Sequence, residues 1–139
     1  MHIETHLNFD GTCEEAFGFY AKVLGGEIVF MMKHKDAPAD AGIDPEWENL
    51  VMHACLRVGK ATLLGADAPR AYYQTPQGFA ASIQVDTPEE ARKIWDGLAE
   101  GARAITMPIA ETFWSPMFGM LTDRFGTPWM INTVTPDCG

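Results

Sequence analysis

A strand-then-helix motif occurs twice in this chain, and the repeat narrows the folds open to it. Phe9-Asp10-Gly11-Thr12-Cys13-Glu14-Glu15-Ala16 stands near the start, and Val85-Asp86-Thr87-Pro88-Glu89-Glu90-Ala91 stands near the middle. Each reads as the end of a strand, an aspartate, and a helix start. Such self-similarity marks one supersecondary unit used twice. Thr12 with Glu15, and Thr87 with Glu90, fit capping boxes, in which side chains satisfy the first free N–H groups of a helix. Pro88 falls at the first helical position, where no backbone donor is needed. The pairs Glu14-Glu15 and Glu89-Glu90 suit the positive end of a helix dipole and read as structural.

Helical periodicity follows both starts. Ala16, Phe17, Phe19, Tyr20, Val23 and Leu24 make one apolar stripe, and Ala91, Ile94, Trp95 and Leu98 make the other. Gly25-Gly26 and Gly101 stop them. Strand-like runs come next: Glu27 to Lys33, Leu50 to Val58 and Ala61 to Gly65 in the first half. In the second half they are Ala104 to Ile109, about Ser115 to Thr122, and Pro128 to Val134. Val58-Gly59-Lys60 and Asp123-Arg124-Phe125-Gly126 read as hairpin turns. The prediction is an α+β fold of two βαβββ modules, residues 1–66 and 79–135, with a connector at 67–78 and a tail at 136–139. Lys33 to Asn49 reads as a long polar loop broken by Pro38, Gly42 and Pro45.

Composition excludes several functions. The 139 residues carry a net charge of −9, from 19 acidic and 10 basic side chains. Nucleic acid is a poor partner, because its affinity rests on cationic contacts with phosphate. A cationic ligand suits the charge better. Apolar runs such as Ile28 to Met32 are too short to span a bilayer, and Met1-His2-Ile3-Glu4 shows no secretory signal. Cys13, Cys55 and Cys138 form no CxxC pair, so neither a disulfide framework nor a zinc knuckle is expected. A reducing cytoplasm is the expected location.

Three strings carry a family likeness: Tyr72-Tyr73-Gln74-Thr75-Pro76-Gln77-Gly78-Phe79; Met107-Pro108 through Glu111-Thr112-Phe113-Trp114; and Phe118-Gly119-Met120 to Asp123-Arg124-Phe125-Gly126-Thr127-Pro128-Trp129-Met130-Ile131-Asn132. They resemble the PhnB-like branch of the vicinal-oxygen-chelate superfamily of glyoxalases, bleomycin-resistance proteins and extradiol dioxygenases. The resemblance implies two curved mixed sheets around a cavity with helices outside. It also implies a homodimer, in which modules of two chains can build each cavity. Proteins similar to these are often labelled demethylubiquinone methyltransferases. That label is not carried over, because no glycine-rich loop follows a strand to cradle S-adenosylmethionine.

Period-two alternation assigns faces. Leu7 and Phe9 oppose Glu4, His6 and Asn8. Ala81, Ile83 and Val85 oppose Ala80, Ser82 and Gln84, and Trp129 and Ile131 oppose Met130 and Asn132. Met52, Ala54, Leu56 and Val58 oppose Val51, His53, Cys55 and Arg57. Glyoxalase-like relatives place metal ligands on the first, fourth, fifth and eighth strands. The matching positions here are Glu4, Leu63, Ala80 and Met130, and only Glu4 can bind a nickel, zinc or iron ion. No metal or other cofactor is therefore expected. Glu4, His6 and His53 are the alternative metal set. The expected ligand-binding residues are His6, Asn8, His53, Ser82, Gln84, Trp114 and Asn132, around a small molecule. Trp129 is read as core. The alternatives are a glyoxalase-type lyase, isomerase or dioxygenase, either metal-dependent or using His6 or His53 as acid-base, and an accessory protein with a filled interior. Arg57 is the one cation on a possible cavity face, thin support for a phosphonate.

Overall fold

The computed structural model describes residues 1–135. The chain divides into two compact units, one ending at Gln74 and the other starting at Thr75. Each contains one helix and one four-stranded mixed sheet.

The first unit runs β1 (Thr5–Phe9), α1 (Cys13–Leu24), β2 (Glu27–Lys33), β3 (Val51–Val58) and β4 (Ala61–Asp67). Its strand order is β1-β4-β3-β2. β1 and β4 are parallel, with Phe9 opposite Asp67, while the other pairs are antiparallel. Alternation along β1 turns Leu7 and Phe9 inward, and the apolar stripe of α1 meets them. Phe9, Phe17, Tyr20, Ala54 and Leu56 are wholly buried. The rings of Phe9 and Phe17 pack edge-on, 6.1 Å between centroids. A fully buried aromatic of this kind contributes up to about 3 kcal/mol.

β4 continues past Gly65, where the sequence suggested a stop, to Asp67. Glycine serves packing here: a Cβ at residue 65 would lie 2.6 Å from the Phe17 ring. Asp67 then corrects a second expectation. Thr12 makes no side-chain cap to α1. Instead the Asp67 carboxylate accepts from Cys13 N at 2.9 Å and from Val51 N at 2.9 Å. A carboxylate with two oxygens satisfies a helix start and a strand start together, which one threonine hydroxyl cannot do. The segment between β2 and β3 is also more ordered than a polar loop requires. Two 3-10 turns, His34–Asp36 and Pro45–Trp47, sit in it. His34 N and Lys35 N donate to Leu50 O and Glu48 O at 3.0 and 2.9 Å, closing its base.

The second unit runs β5 (Ala81–Val85), α2 (Pro88–Ala99), β6 (Ala104–Ala110), β7 (Phe118–Thr122) and β8 (Pro128–Thr133). The order is β5-β8-β7-β6, again with the first and last strands parallel. Here the expected cap forms: Thr87 Oγ1 accepts from Glu90 N at 3.2 Å. Ala91, Ile94, Trp95 and Leu98 face the sheet as the stripe required. Gly119 repeats the device seen at Gly65, since a Cβ there would lie 2.6 Å from Trp95. β7 starts at Phe118 rather than near Ser115 because Ser115 is committed to a turn: its N–H donates to Thr112 Oγ1 and its hydroxyl to Met117 O, both at 3.0 Å. The β7–β8 turn is built on buried Asp123, which accepts from Phe125 N, Thr127 N and Trp129 Nε1 at 2.8 to 3.0 Å. Among the described residues, no helix is long and apolar enough to cross a membrane. Cys138 lies outside the described residues.

Candidate functional site

In each unit the helix covers one sheet face, and the expected site residues stand on the other. In the first unit His6 and Asn8 are exposed, alternating with buried Leu7 and Phe9. His6 Nε2 and Asn8 Oδ1 lie 3.2 Å apart, joined by a hydrogen bond. One row across this open face is His6, Leu64, Cys55 and Phe30, read from the register of adjacent strands. His53 is half-buried opposite Met32, and its ring lies 5.6 Å from that of Phe30. Ala54 and Leu56 are buried as alternation requires, but Val51 is buried too. A register shift between Met32 and Lys33 places Val51 opposite Lys33, and its N–H is taken by Asp67.

Glu4, His6 and His53 are not gathered around a point. Glu4 Oε1 meets His2 Nε2 at 3.1 Å. β4 lies between the strands of His6 and His53, and two strand spacings amount to about 10 Å. Among the described residues, no three His, Cys, Asp or Glu side chains form a metal-holding group. Leu63 is buried on the helix side. Cys13 is no nucleophile either: burial first, then the charges of Asp67 and Glu14, push its thiol up to about 12. Cys55 is half-buried, and Arg57 is exposed.

The second unit brings three expected residues into one ladder. Gln84 Nε2 donates to Ser82 Oγ at 2.6 Å, and Asn132 Nδ2 donates to Gln84 Oε1 at 2.8 Å. Gln84 and Asn132 are direct cross-strand partners, and Asn132 in turn faces Phe118. The ladder fixes the orientation of the Asn132 amide and leaves Oδ1 buried, with no hydrogen-bond partner among the described residues. Beside it, Trp114 is 46% exposed and packs edge-on against Phe118, with ring centroids 5.5 Å apart. Trp129 belongs to the core, 3% exposed, with its indole N–H held by Asp123. This face therefore carries an edge-to-face aromatic pair beside a buried, unpartnered acceptor. A surface hollow of about 280 Å³ in the first unit touches His34, Pro38, Ile43 and Glu48, but none of the expected site residues lines it.

Sequence reasoning overlooked two buried acids, Asp67 and Asp123, and a row of methionines on the open face of the second unit. Alternation held a signal for Asp67, since Leu63, Gly65 and Asp67 share a face, and an acid on an apolar face needs donors.

Two βαβββ units, each a mixed sheet with one helix, define the vicinal-oxygen-chelate fold class. FosX, a fosfomycin resistance protein from Listeria monocytogenes solved with Mn(II) and sulfate, shares the fold at TM-score 0.65. That match is 9% identical over 99% of this chain and 94% of that one, a likeness that speaks to the fold alone. Residues 1–132 match the family described as 3-demethylubiquinone-9 3-methyltransferase, and the chain belongs to this PhnB-like family. Protein YjdN of Escherichia coli K12 is 30% identical over 142 residues, covering 96% of each chain. The Pseudomonas aeruginosa protein PA1353 is 40% identical with TM-score 0.86, over 96% of this chain and 97% of that one. The PhnB protein from Bacillus cereus is 26% identical with TM-score 0.78, over 96% and 100%.

The family description implies a methyl donor such as S-adenosylmethionine, and the residues present do not fit one. Neither strand-to-helix turn is glycine-rich. The first N–H of α1 is occupied by Asp67. α2 begins with Pro88, which has no N–H, and carries Glu89 and Glu90 in its first turn. Both helix starts are thus capped, and both are acidic, which disfavours a carboxylate or phosphate group there.

Proposed function

We propose that the protein binds a small organic molecule, without a hard metal ion, on the open sheet faces opposite its helices. The observation that carries this reading is Asn132 Oδ1, a buried acceptor left without a partner among the described residues at the end of an ordered ladder. Buried polar atoms are nearly always satisfied, so an orphan held in a fixed direction suits a ligand N–H or O–H. Gln84 and Ser82 hold the amide, and Trp114 and Phe118 offer a wall for a planar or apolar body. The open face of the first unit, with His6, Asn8 and His53, is read as a polar binding face in its own right. The acidic balance of the chain favours a cationic ligand. A homodimer in the cytoplasm is part of the same reading.

Thermal stabilisation across a panel of cationic and neutral aromatic compounds tests it. A ligand at one hundred times its Kd adds about 2.7 kcal/mol, enough for a clear rise in Tm. The rise should shrink in Asn132→Ala and Trp114→Ala and persist in Phe113→Ala. A flat response of the unaltered protein to every compound sinks the reading.

A further inference from the structure

The open face of the second unit carries a second row of side chains beside the Asn132 ladder. Met107 is the cross-strand partner of Met120, and Met120 that of Met130. Met130 stands in register with Ser82, which starts the polar ladder. Three methionines from β6, β7 and β8 thus stand side by side on one face. All three are half-buried, so they are neither sealed in the core nor fully in solvent. Gly119 and Leu121, which flank Met120, face α2 and the core, so Met120 points away from the helix.

We infer that Met107, Met120 and Met130 form a site for one soft monovalent cation, of the Cu(I) or Ag(I) type, held by three thioether sulfurs. The argument is one of reach and of chemistry. The outer strands of the row are about 10 Å apart, two sheet spacings. The long, unbranched side chains of the outer methionines can lean inward over that span to meet the middle one. Thioether sulfur is a neutral, polarisable donor that selects Cu(I)-like ions and rejects hard divalent ones. Among the described residues, β5 to β8 carry no carboxylate, imidazole or thiol that would compete for the ion: the other members of this face include Ser82, Gln84, Asn132, Phe118 and Thr122. The rings of Phe118 and Trp114 stand on the adjoining part of the face, where aromatic faces favour a cation. A chain of net charge −9 draws a cation toward it. This site is independent of the organic ligand, because it rests on the neighbouring row.

The test uses the full chain with Cys55→Ser and Cys138→Ser, so that these two thiols do not compete; Cys13 is sealed in the core. Methionine methyl groups are labelled with carbon-13, and silver nitrate is added in chloride-free buffer with no organic ligand present. The expected result is that the methyl signals of Met107, Met120 and Met130 shift together and saturate at one silver per chain. The signals of Met31, Met32 and Met52 stay put, and zinc moves none of the three. Met120→Leu weakens silver binding at least tenfold, as do Met107→Leu and Met130→Leu; leucine is close enough in volume for the fold to survive each change. Unmoved signals at one equivalent, shifts spread over all the methionines, a matching response to zinc, or full affinity in the folded leucine variants would each overturn the inference.

Discussion

Asp67 shows how much one side chain decides here. Its two oxygens hold Cys13 N and Val51 N, both in the buried interior. Asp67→Ala strands both donors and should lower unfolding free energy by about 2 to 4 kcal/mol, read from urea denaturation. Thr12→Ala, at the position that the capping box pointed to, should change it by less than about 0.5 kcal/mol. A large loss in Thr12→Ala would return the cap to the threonine. The same pocket governs Cys13, whose thiol rises from an ordinary 9.0 to about 12. A raised folded-state value means that the unfolded chain gives up its proton first as pH rises. Stability from this group is therefore intact below pH 9 and lost between 9 and about 12. The alkaline limb of the stability curve should be shallower in Cys13→Ala, and an unchanged limb would count against the burial described. The cap was illegible in the sequence because its donor and acceptor lie 54 residues apart. No local pattern encodes such a pair.

Each helix meets its sheet through an aromatic set against a glycine, Phe17 on Gly65 and Trp95 on Gly119. Gly65→Ala and Gly119→Ala each push a Cβ to 2.6 Å from a ring, which should destabilise by about 1 to 3 kcal/mol. Phe17→Leu combined with Gly65→Ala should cost less than the sum of the two, because the smaller side chain relieves the contact. Strict additivity in that pair would show that ring and glycine do not meet. The elements themselves were readable. β2 has the limits expected of it, Glu27 to Lys33, and alternation separated Leu7 and Phe9 from His6 and Asn8, and Trp129 and Ile131 from Met130 and Asn132. Face assignment placed Ser82, Gln84 and Asn132 together. It could not show that they hydrogen-bond in series, since that depends on β5 lying beside β8. For the same reason it grouped His6 with His53, although β4 runs between their strands.

The whole chain repeats one plan, and the two Asp-bearing helix starts are enough to make that repeat legible. Which strands become neighbours is not written so locally, because hairpin turns specify only adjacent pairs. Among the described residues, β1 pairs only with β4, and β5 only with β8, in parallel. Each opening strand therefore has no partner until the last strand of its unit exists. A chain leaving the ribosome holds Thr5–Phe9 idle until Ala61–Asp67 has emerged, and closing so long a loop is slow. In refolding followed by pulsed hydrogen exchange, amides of β3 should gain protection before those of β1, and those of β7 before β5. Simultaneous protection would contradict this order. It follows that β1, with Leu7 and Phe9 waiting for β4, is the strand most open to a wrong partner during synthesis. A nascent chain halted before residues 61–67 have cleared the ribosome is where misassembly would begin.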